Sequence, residues 1–454
     1  MNQQPNIILI NCDDLGYGDL GSYGSRKNTT PHIDALARDG LRFTDFYMAS
    51  PVCSASRAAM LTGCYPPRIG FGDHPVLFPG QKEGLNPDEE TLGGLLKRAG
   101  YDTKIIGKWH CGDQPEFLPT NHGFDAYFGI PYSNDMGRQA GRLDAPPLPL
   151  LRDETVVQEQ PDQRGITERY TDEALQFIAR DRQNPFFLYL AHMYVHVPLF
   201  VPRQFLEQSC NGAYGGAVAC IDWSTGVLVD WLKQHGLFEN TLIVFTSDNG
   251  SRARDEGGSN APCSGTKATT WEGGQRVPCI MHWPGGISSG RVCTHIARSI
   301  DLFPTFAALA GVELDPARTI DGVDLSGILH SDSAPSPVPS FFYYSHHVLE
   351  AVRVGDWKLF LQRSNTPVKE LYHLREDIGE SCNLHEDRPD VVADLMKAVV
   401  TMRDMLGDSA TGQEGQDRRP SGRVAHAKPI TAYRADHPYM IAMYDLPDMP
   451  TLAG

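Results

Sequence analysis

Two sets of polar residues stand where apolar runs end. Asp13 and Asp14 follow Asn6–Cys12 (NIILINC), and Asp248, Asn249 and Gly250 follow 242–247 (LIVFTS). Three carboxylates and one amide oxygen make a hard donor set suited to Ca²⁺ or Mg²⁺, and with no His or Cys among the four positions zinc is disfavoured. Each set alone reads equally well as local structure, Asp13-Asp14 as a helix cap and Asp248-Asn249-Gly250 as a turn. A nucleophile candidate, Cys53, lies one helical turn before Arg57 in Cys53-Ser54-Ala55-Ser56-Arg57, which runs on to Leu61-Thr62-Gly63. A lone Cys is more often a buried structural thiol. Lys108 and His110, in Gly107-Lys108-Trp109-His110, are two apart, so an extended segment points both to one side. His196 stands in Val195-His196-Val197-Pro198, with His192 nearby as a satisfied polar residue. Lys267 ends Gly265-Thr266-Lys267 and precedes Glu272-Gly273-Gly274-Gln275-Arg276-Val277-Pro278, where Glu272 and Arg276 read as an ion pair holding a loop.

Residues so far apart need a scaffold that gathers them. The runs at 6–12, 101–106, 186–191 and 242–247 are short and apolar, as strands buried on both faces are. Helical patterns occupy 32–40, 91–100, 167–179 and 217–235 between them. This alternation predicts an α/β fold with a large, mainly parallel or mixed sheet flanked by helices, in which ligands bind at the carboxyl ends of the strands. A Pro/Ser linker at 333–339 is followed by strands at 340–344 and 348–361, the latter turning at Gly355-Asp356, and an amphipathic helix at 390–406. The expected division is a catalytic domain, 1–335, and a small domain, 336–454, with an antiparallel sheet, one helix and an extended tail.

Composition narrows the function classes. The chain has 454 residues and a formal net charge of −16, which disfavours nucleic acid as a partner. Hydrophobic residues at 41% and charged residues at 21% exclude wholesale disorder. No apolar run approaches the ~18 residues of a membrane span, so no membrane association is expected. Met1-Asn2-Gln3-Gln4-Pro5 lacks the basic and apolar regions of a leader, which predicts a cytoplasmic location, or a periplasmic or secreted one if a leader was removed. The ten cysteines are scattered and contain no CxxC pair, so they read as mostly reduced thiols.

The stretch Cys53 to Arg57 with Leu61-Thr62-Gly63 resembles the sulfatase signature, C/S-x-P/A-x-R closed by Leu-Thr-Gly; Ala55 stands where Pro is commoner, a variation the family allows. The blocks around Asp13-Asp14, Lys108, His196, Asp248-Asn249 and Lys267 follow in the family's order. Tyr127-Phe128-Gly129-Ile130-Pro131-Tyr132-Ser133 is similar to the arylsulfatase A and N-acetylgalactosamine-6-sulfatase branch of this alkaline phosphatase superfamily, and Glu370-Leu371-Tyr372, Asp377, Glu380 and Asn383-Leu384 resemble its C-terminal sheet domain.

The resemblance implies a type I sulfatase that hydrolyses sulfate monoesters of aryl alcohols or sugars. It implies that a maturation enzyme converts Cys53 to formylglycine, whose hydrate attacks sulfur with one hydroxyl and releases sulfate through the other. It implies a cation, Ca²⁺ before Mg²⁺, held by Asp13, Asp14, Asp248, Asn249 and the modified Cys53. Arg57 would orient the diol and Asp248 would serve as its base. Lys108, His196 and Lys267 would bind the sulfuryl oxygens, His196 with Lys267 would protonate the leaving oxygen, and His110 would take the proton whose loss frees sulfate.

Two rival readings stand beside this one. A phosphonate monoester or phosphodiester hydrolase on the same scaffold would be favoured by His at position 249, where this chain has Asn. A catalytically dead binding protein would not need the intact polar set. Specificity is expected from 135–152 and from Ser345-His346-His347, two histidines that read either as pocket rim or as ordinary surface. The tail, with Tyr433, Tyr439, Met440, Met443 and Tyr444, is expected either to pack on a second copy as a homo-oligomer or to wrap its own subunit.

Overall fold

The structure, a computed structural model, describes residues 4–139, 142–364 and 366–430. Its centre is a ten-stranded sheet. In chain order the strands are β1 (Asn6–Cys12), β2 (Leu41–Phe43), β3 (Asp102–Gly107), β4 (Ala126–Gly129), β5 (Pro149–Arg152), β6 (Thr155–Glu159), β7 (Phe186–Ala191), β8 (Thr241–Ser247), β9 (Cys279–His282) and β10 (Arg291–Cys293). They lie side by side as β10-β2-β9-β8-β1-β7-β3-β4-β5-β6. The five central strands, β8-β1-β7-β3-β4, run parallel, while β9, β5 and β6 run against their neighbours, so the sheet is mixed.

Strand periodicity explains the continuous apolar runs. Ile7 and Leu9 of β1, with Leu242 and Val244 of β8, enter the core on one face; Ile8, Ile10, Ile243 and Phe245 enter the core on the other. On the first face lie α2 (Cys53–Thr62), α3 (Leu92–Arg98) and α6 (Leu302–Ala310); on the second lie α1 (Pro31–Asp39), α4 (Ile166–Ile178) and α5 (Gly212–Gln234). α5 begins five residues before the sequence pattern placed it, because Gly215 and Gly216 weaken the helical signal. Later in the same helix Gly226 permits a close crossing: a Cβ there would fall 2.5 Å from the His32 ring of α1.

Beyond the linker, β11 (Ser340–Ser345), β12 (Val348–Val354), β13 (Trp357–Arg363) and β14 (Thr366–His373) form an antiparallel sheet covered by α7 (Pro389–Leu406). The expected small antiparallel sheet with one helix is present. Phe341, Tyr343 and Val352 join the same apolar cluster as α2, so the small sheet shares its core with the large one. The chain then returns over the first unit. Asp417 pairs with Arg68, Arg419 with Glu89, Gly422–Arg423 lie antiparallel to Glu83–Gly84, and Gln114 binds both backbone groups of Lys428. Up to residue 430 the tail wraps its own subunit. Tyr433, Tyr439, Met440, Met443 and Tyr444 lie outside the described residues. All ten cysteines are free. Among the described residues no helix is long and apolar enough to cross a membrane.

Candidate active site

Parallel pairing of β1 with β8 sets Cys12 opposite Ser247, so Asp13-Asp14 and Asp248-Asn249 leave adjacent strand ends together. The Asp14 amide donates to Asp248 Oδ1 at 3.2 Å, and Asn249 Nδ2 donates to Asp14 Oδ1 at 2.7 Å. On the other side of β1, β7 and β3 align Ala191 with Gly107, and Lys108 follows directly. Its ammonium reaches Asp13 Oδ2 and lies 3.3 Å from Ser133 Oγ. All these groups except Ser133 were picked out by sequence as candidates; Ser133 belonged to a motif but carried no chemical role.

Cys53 is the first residue of α2, and its Sγ is 3.4 Å from Asp13 Oδ1. One turn later, Arg57 is wholly buried, donates from Nε to Asp248 Oδ2 at 2.9 Å and from a terminal nitrogen to the Lys108 carbonyl at 3.0 Å. Ser56 Oγ donates to the Asp248 carbonyl at 2.5 Å. Lys267, from the loop after β8, donates to Asp14 at 3.0 Å, and His196 Nε2 is 3.8 Å from the same carboxylate. The structure therefore brings together Asp13, Asp14, Cys53, Arg57, Lys108, His196, Asp248, Asn249 and Lys267. His110 stands beside them, its Nε2 bonded to the Leu77 carbonyl at 2.9 Å. A carbonyl only accepts, so Nε2 carries the hydrogen and the buried, unpartnered Nδ1 is the free acceptor.

The electrostatics follow from burial and crowding. Burial alone would raise the Asp13 pKa, but Lys108, His196, Arg57 and Lys267 outweigh it and hold Asp13 well below the usual carboxylate range. Asp248 is pushed up to about 6 by burial and by the charge of Asp13. Burial and Asp13 raise the Cys53 thiol well above its ordinary value, so little thiolate exists at neutral pH. His196 is lowered by burial and Lys267, and His110 by burial and Lys108; both rings are neutral. The charges of Asp13 and Asp14 outweigh burial and keep Lys108 and Lys267 protonated.

Donor chemistry fits a hard divalent cation. Ligand atoms of Asp13, Asp14, Cys53 and His196 lie within 4.8 Å of one another. Asn249 Oδ1 is buried without a hydrogen-bond partner, an orphaned acceptor beside two carboxylates. Three cationic side chains balance three carboxylates, so a bound divalent cation would leave the pocket positive and receptive to an anion.

Two expected roles are placed elsewhere. His192 is fully buried with neither ring nitrogen partnered, and burial lowers its pKa to about 3; it is an apolar-packed ring rather than a satisfied polar residue. Glu272 and Arg276 do pair, at 3.3 Å, but Glu272 also receives Lys358 at 3.0 Å, Tyr343 at 2.6 Å and Tyr47 at 2.5 Å. The pair thus ties the loop to the small sheet as well as to itself.

Known proteins repeat this arrangement of sequence. The family model described as Sulfatase matches residues 5–312, and one described as N-sulphoglucosamine sulphohydrolase, C-terminal, matches residues 266–405. N-acetylgalactosamine-6-sulfatase of Mus musculus is 42% identical over 380 residues, covering 79% of this chain and 72% of that protein. Arylsulfatase A of Homo sapiens is 40% identical over 439 residues, covering 89% and 84%. A crystal structure of Ps i-CgsB in complex with k-i-k-neocarrahexaose superimposes with a TM-score of 0.77 at 32% identity, covering 88% of this chain and 93% of that one.

Proposed function

The chain belongs to the sulfatase family and is a sulfuric ester hydrolase; from that premise we propose that it cleaves sulfate monoesters of aryl alcohols or sugars through a formylglycine derived from Cys53, beside a divalent cation, Ca²⁺ in preference to Mg²⁺. The observation that carries this reading is the setting of Cys53. Its thiol opens α2, 3.4 Å from Asp13, with Arg57 one turn behind and its pKa driven up rather than down. That environment suppresses a thiolate nucleophile and suits a neutral hydroxyl that a base must activate.

When formed, the hydrated aldehyde supplies a hydroxyl nucleophile and a second hydroxyl through which sulfate can leave. When bound, the cation supplies Lewis-acid charge neutralisation; Asp13, Asp14, Asp248, Asn249 and residue 53 would hold it. The rest belongs to side chains. Asp248, raised to about 6 and oriented by Arg57, is the base for the attacking hydroxyl. Lys108 and Lys267 stay cationic and bind sulfuryl oxygens. Asp14 faces both Lys267 and His196, which together serve the leaving oxygen: the Lys267 ammonium is the source of the proton and the His196 ring passes it on. His196 Nδ1 donates to the Val197 carbonyl at 2.5 Å, so Nε2 of the neutral ring is an acceptor, and it delivers a proton only after taking one from the neighbouring Lys267 ammonium. His110 Nδ1 is the acceptor for the proton whose loss releases sulfate.

Residues 1–335 would act as the catalytic domain and 336–454 as its small companion, supported by the linker and the separate antiparallel sheet. The maturation enzyme for Cys53 is the one macromolecular partner this reading requires. The rival phosphonate reading lacks its favouring residue, since position 249 is Asn. The test is turnover of para-nitrophenyl sulfate and of N-acetylgalactosamine 6-sulfate by protein whose converted fraction at position 53 is known by mass. Fully converted, cation-loaded protein that hydrolyses neither these nor any other sulfate ester would refute the proposal.

A further inference from the structure

Beside the catalytic cluster lies a second cavity of about 400 Å³, between the loop after Lys267 and the small sheet. One wall is Ala268, Thr269, Thr270 and Trp271; the other is Ser345 and His346 of the β11–β12 hairpin with Glu350 and Arg363. Both walls are anchored to the chain that flanks Cys53. The Ala268 amide donates to the Pro51 carbonyl at 2.9 Å, two residues before Cys53. In the hairpin His347 pairs with Asp73 at 3.0 Å and leaves no room for a Cβ on Gly72, which would fall 2.3 Å from its ring. The segment after Gly72 is bound in turn to α2, through Ala55 amide to Pro75 carbonyl at 3.0 Å and Leu77 amide to Ser54 Oγ at 3.0 Å. The cavity is therefore fixed relative to the nucleophile.

Its polar groups are not spent equally. Each oxygen of Glu350 accepts one hydrogen bond, from Thr270 Oγ1 at 2.6 Å and from the Ser364 amide at 3.0 Å. Arg363 pairs with Glu370 through a terminal nitrogen and lies 4.6 Å over the Trp271 ring, and its side chain stays 35% exposed at the cavity. His346, held at φ +58°, is exposed at the rim. A partly exposed guanidinium, an exposed imidazole, threonine hydroxyls and a carboxylate, beside an indole ring in a cavity large enough for a small molecule, match a polyhydroxylated ring better than an apolar aglycone.

We propose that this cavity is a subsite for the sugar adjacent to the sulfated one, with Arg363 and His346 as specificity-determining residues, so that the preferred substrate is a sulfated oligosaccharide. The inference rests on the sulfatase reading above. The test compares kcat/KM for para-nitrophenyl sulfate, a panel of sulfated monosaccharides and the disaccharides that contain them, in converted wild type, Arg363→Ala and His346→Ala. The second variant alters an exposed side chain, so it reports even if the first disturbs β13. Expected is a preference for a disaccharide over its monosaccharide of about tenfold or more, the worth of one or two hydrogen bonds, lost in both variants. Equal values for the two sugars, turnover of the aryl ester alone, or a disaccharide preference that survives both substitutions would overturn the subsite and leave the sulfatase reading standing. Failure of converted wild type on the aryl ester and every sugar would instead sink that reading.

Discussion

In the proposed mechanism Cys53 serves the chemistry only once it has ceased to be a thiol. Burial and the Asp13 carboxylate raise its pKa, so thiolate is scarce, and a thiolate attacking sulfur would have no internal route to release sulfate. Activity across preparations should therefore scale with the fraction of the peptide spanning 50–57 in which mass analysis finds sulfur replaced by oxygen. Normal turnover by unconverted protein, or by Cys53→Ala, would end the assignment. Lys267 makes a separate prediction. Its ammonium is held charged by Asp14, and if it meets sulfate in both ground and transition states as proposed, Lys267→Ala should raise the inhibition constant of free sulfate and lower kcat/KM, each by about tenfold or more. An unchanged sulfate constant would remove Lys267 from the anion site. Nine of the ten residues named from sequence meet at one cluster, and His110 borders it, because their types and spacings are themselves the signal. What the sequence hid is what orients them: Ser133 Oγ beside Lys108 and the Leu77 carbonyl that fixes the His110 tautomer. A backbone carbonyl has no signature in residue type.

Elements were legible in proportion to how completely they are buried. β1, β7 and β8 are covered on both faces and read as unbroken apolar runs. The strands β2, β4, β5, β9 and β10 have three or four residues each, too few for a period to show, and the sheet is more antiparallel at its flanks than the alternation of runs implied. The polar part of the join between the two sheets was also invisible, since beside the shared apolar cluster it consists of charges distant in sequence. Lys358 on β13 reaches Glu272 at 3.0 Å and Glu380 at 2.7 Å with no exposure of any of the three side chains. Burial alone would raise the Glu272 pKa, yet Lys358, Arg276 and Arg353 lower it to about 2, while Glu380 is raised to about 7 by burial. Removing one partner of a buried ion pair strands the other charge, a loss of about 3–5 kcal/mol. Lys358→Met should therefore lower the urea midpoint of unfolding markedly, and Glu380→Gln added to K358M should restore part of it by removing one stranded carboxylate. A midpoint unchanged by K358M would show that the triad does not hold the sheets together.

At the scale of the whole molecule, a chain of net charge −16 has to receive an anionic ester. The general field opposes approach, and since Arg57, Lys108 and Lys267 only balance Asp13, Asp14 and Asp248, the proposed cation would supply the local positive excess that reverses it at the pocket. Without that cation, three buried carboxylates and three buried cations share one cluster, with Asn249 Oδ1 left unpartnered. Because four of the five proposed ligands come from the ends of β1 and β8, they would exist as a site only when the sheet is formed. Cation binding is then linked to folding and should stabilise the native state by about 2.7 kcal/mol at a hundredfold excess over Kd. Converted protein stripped with a chelator should unfold at a lower temperature than the Ca²⁺-loaded form, and Ca²⁺ should restore it better than Mg²⁺, whose tighter octahedral demand suits a crowded carboxylate cluster less well. Asp14→Ala should abolish that Ca²⁺ response and the turnover together while the circular dichroism spectrum stays that of the folded chain, since Asp14 sits past the strand end and outside both apolar clusters. A Ca²⁺ shift that persists in D14A would place the cation elsewhere, and the cluster of three cations and three carboxylates would then have no net positive charge with which to receive the ester.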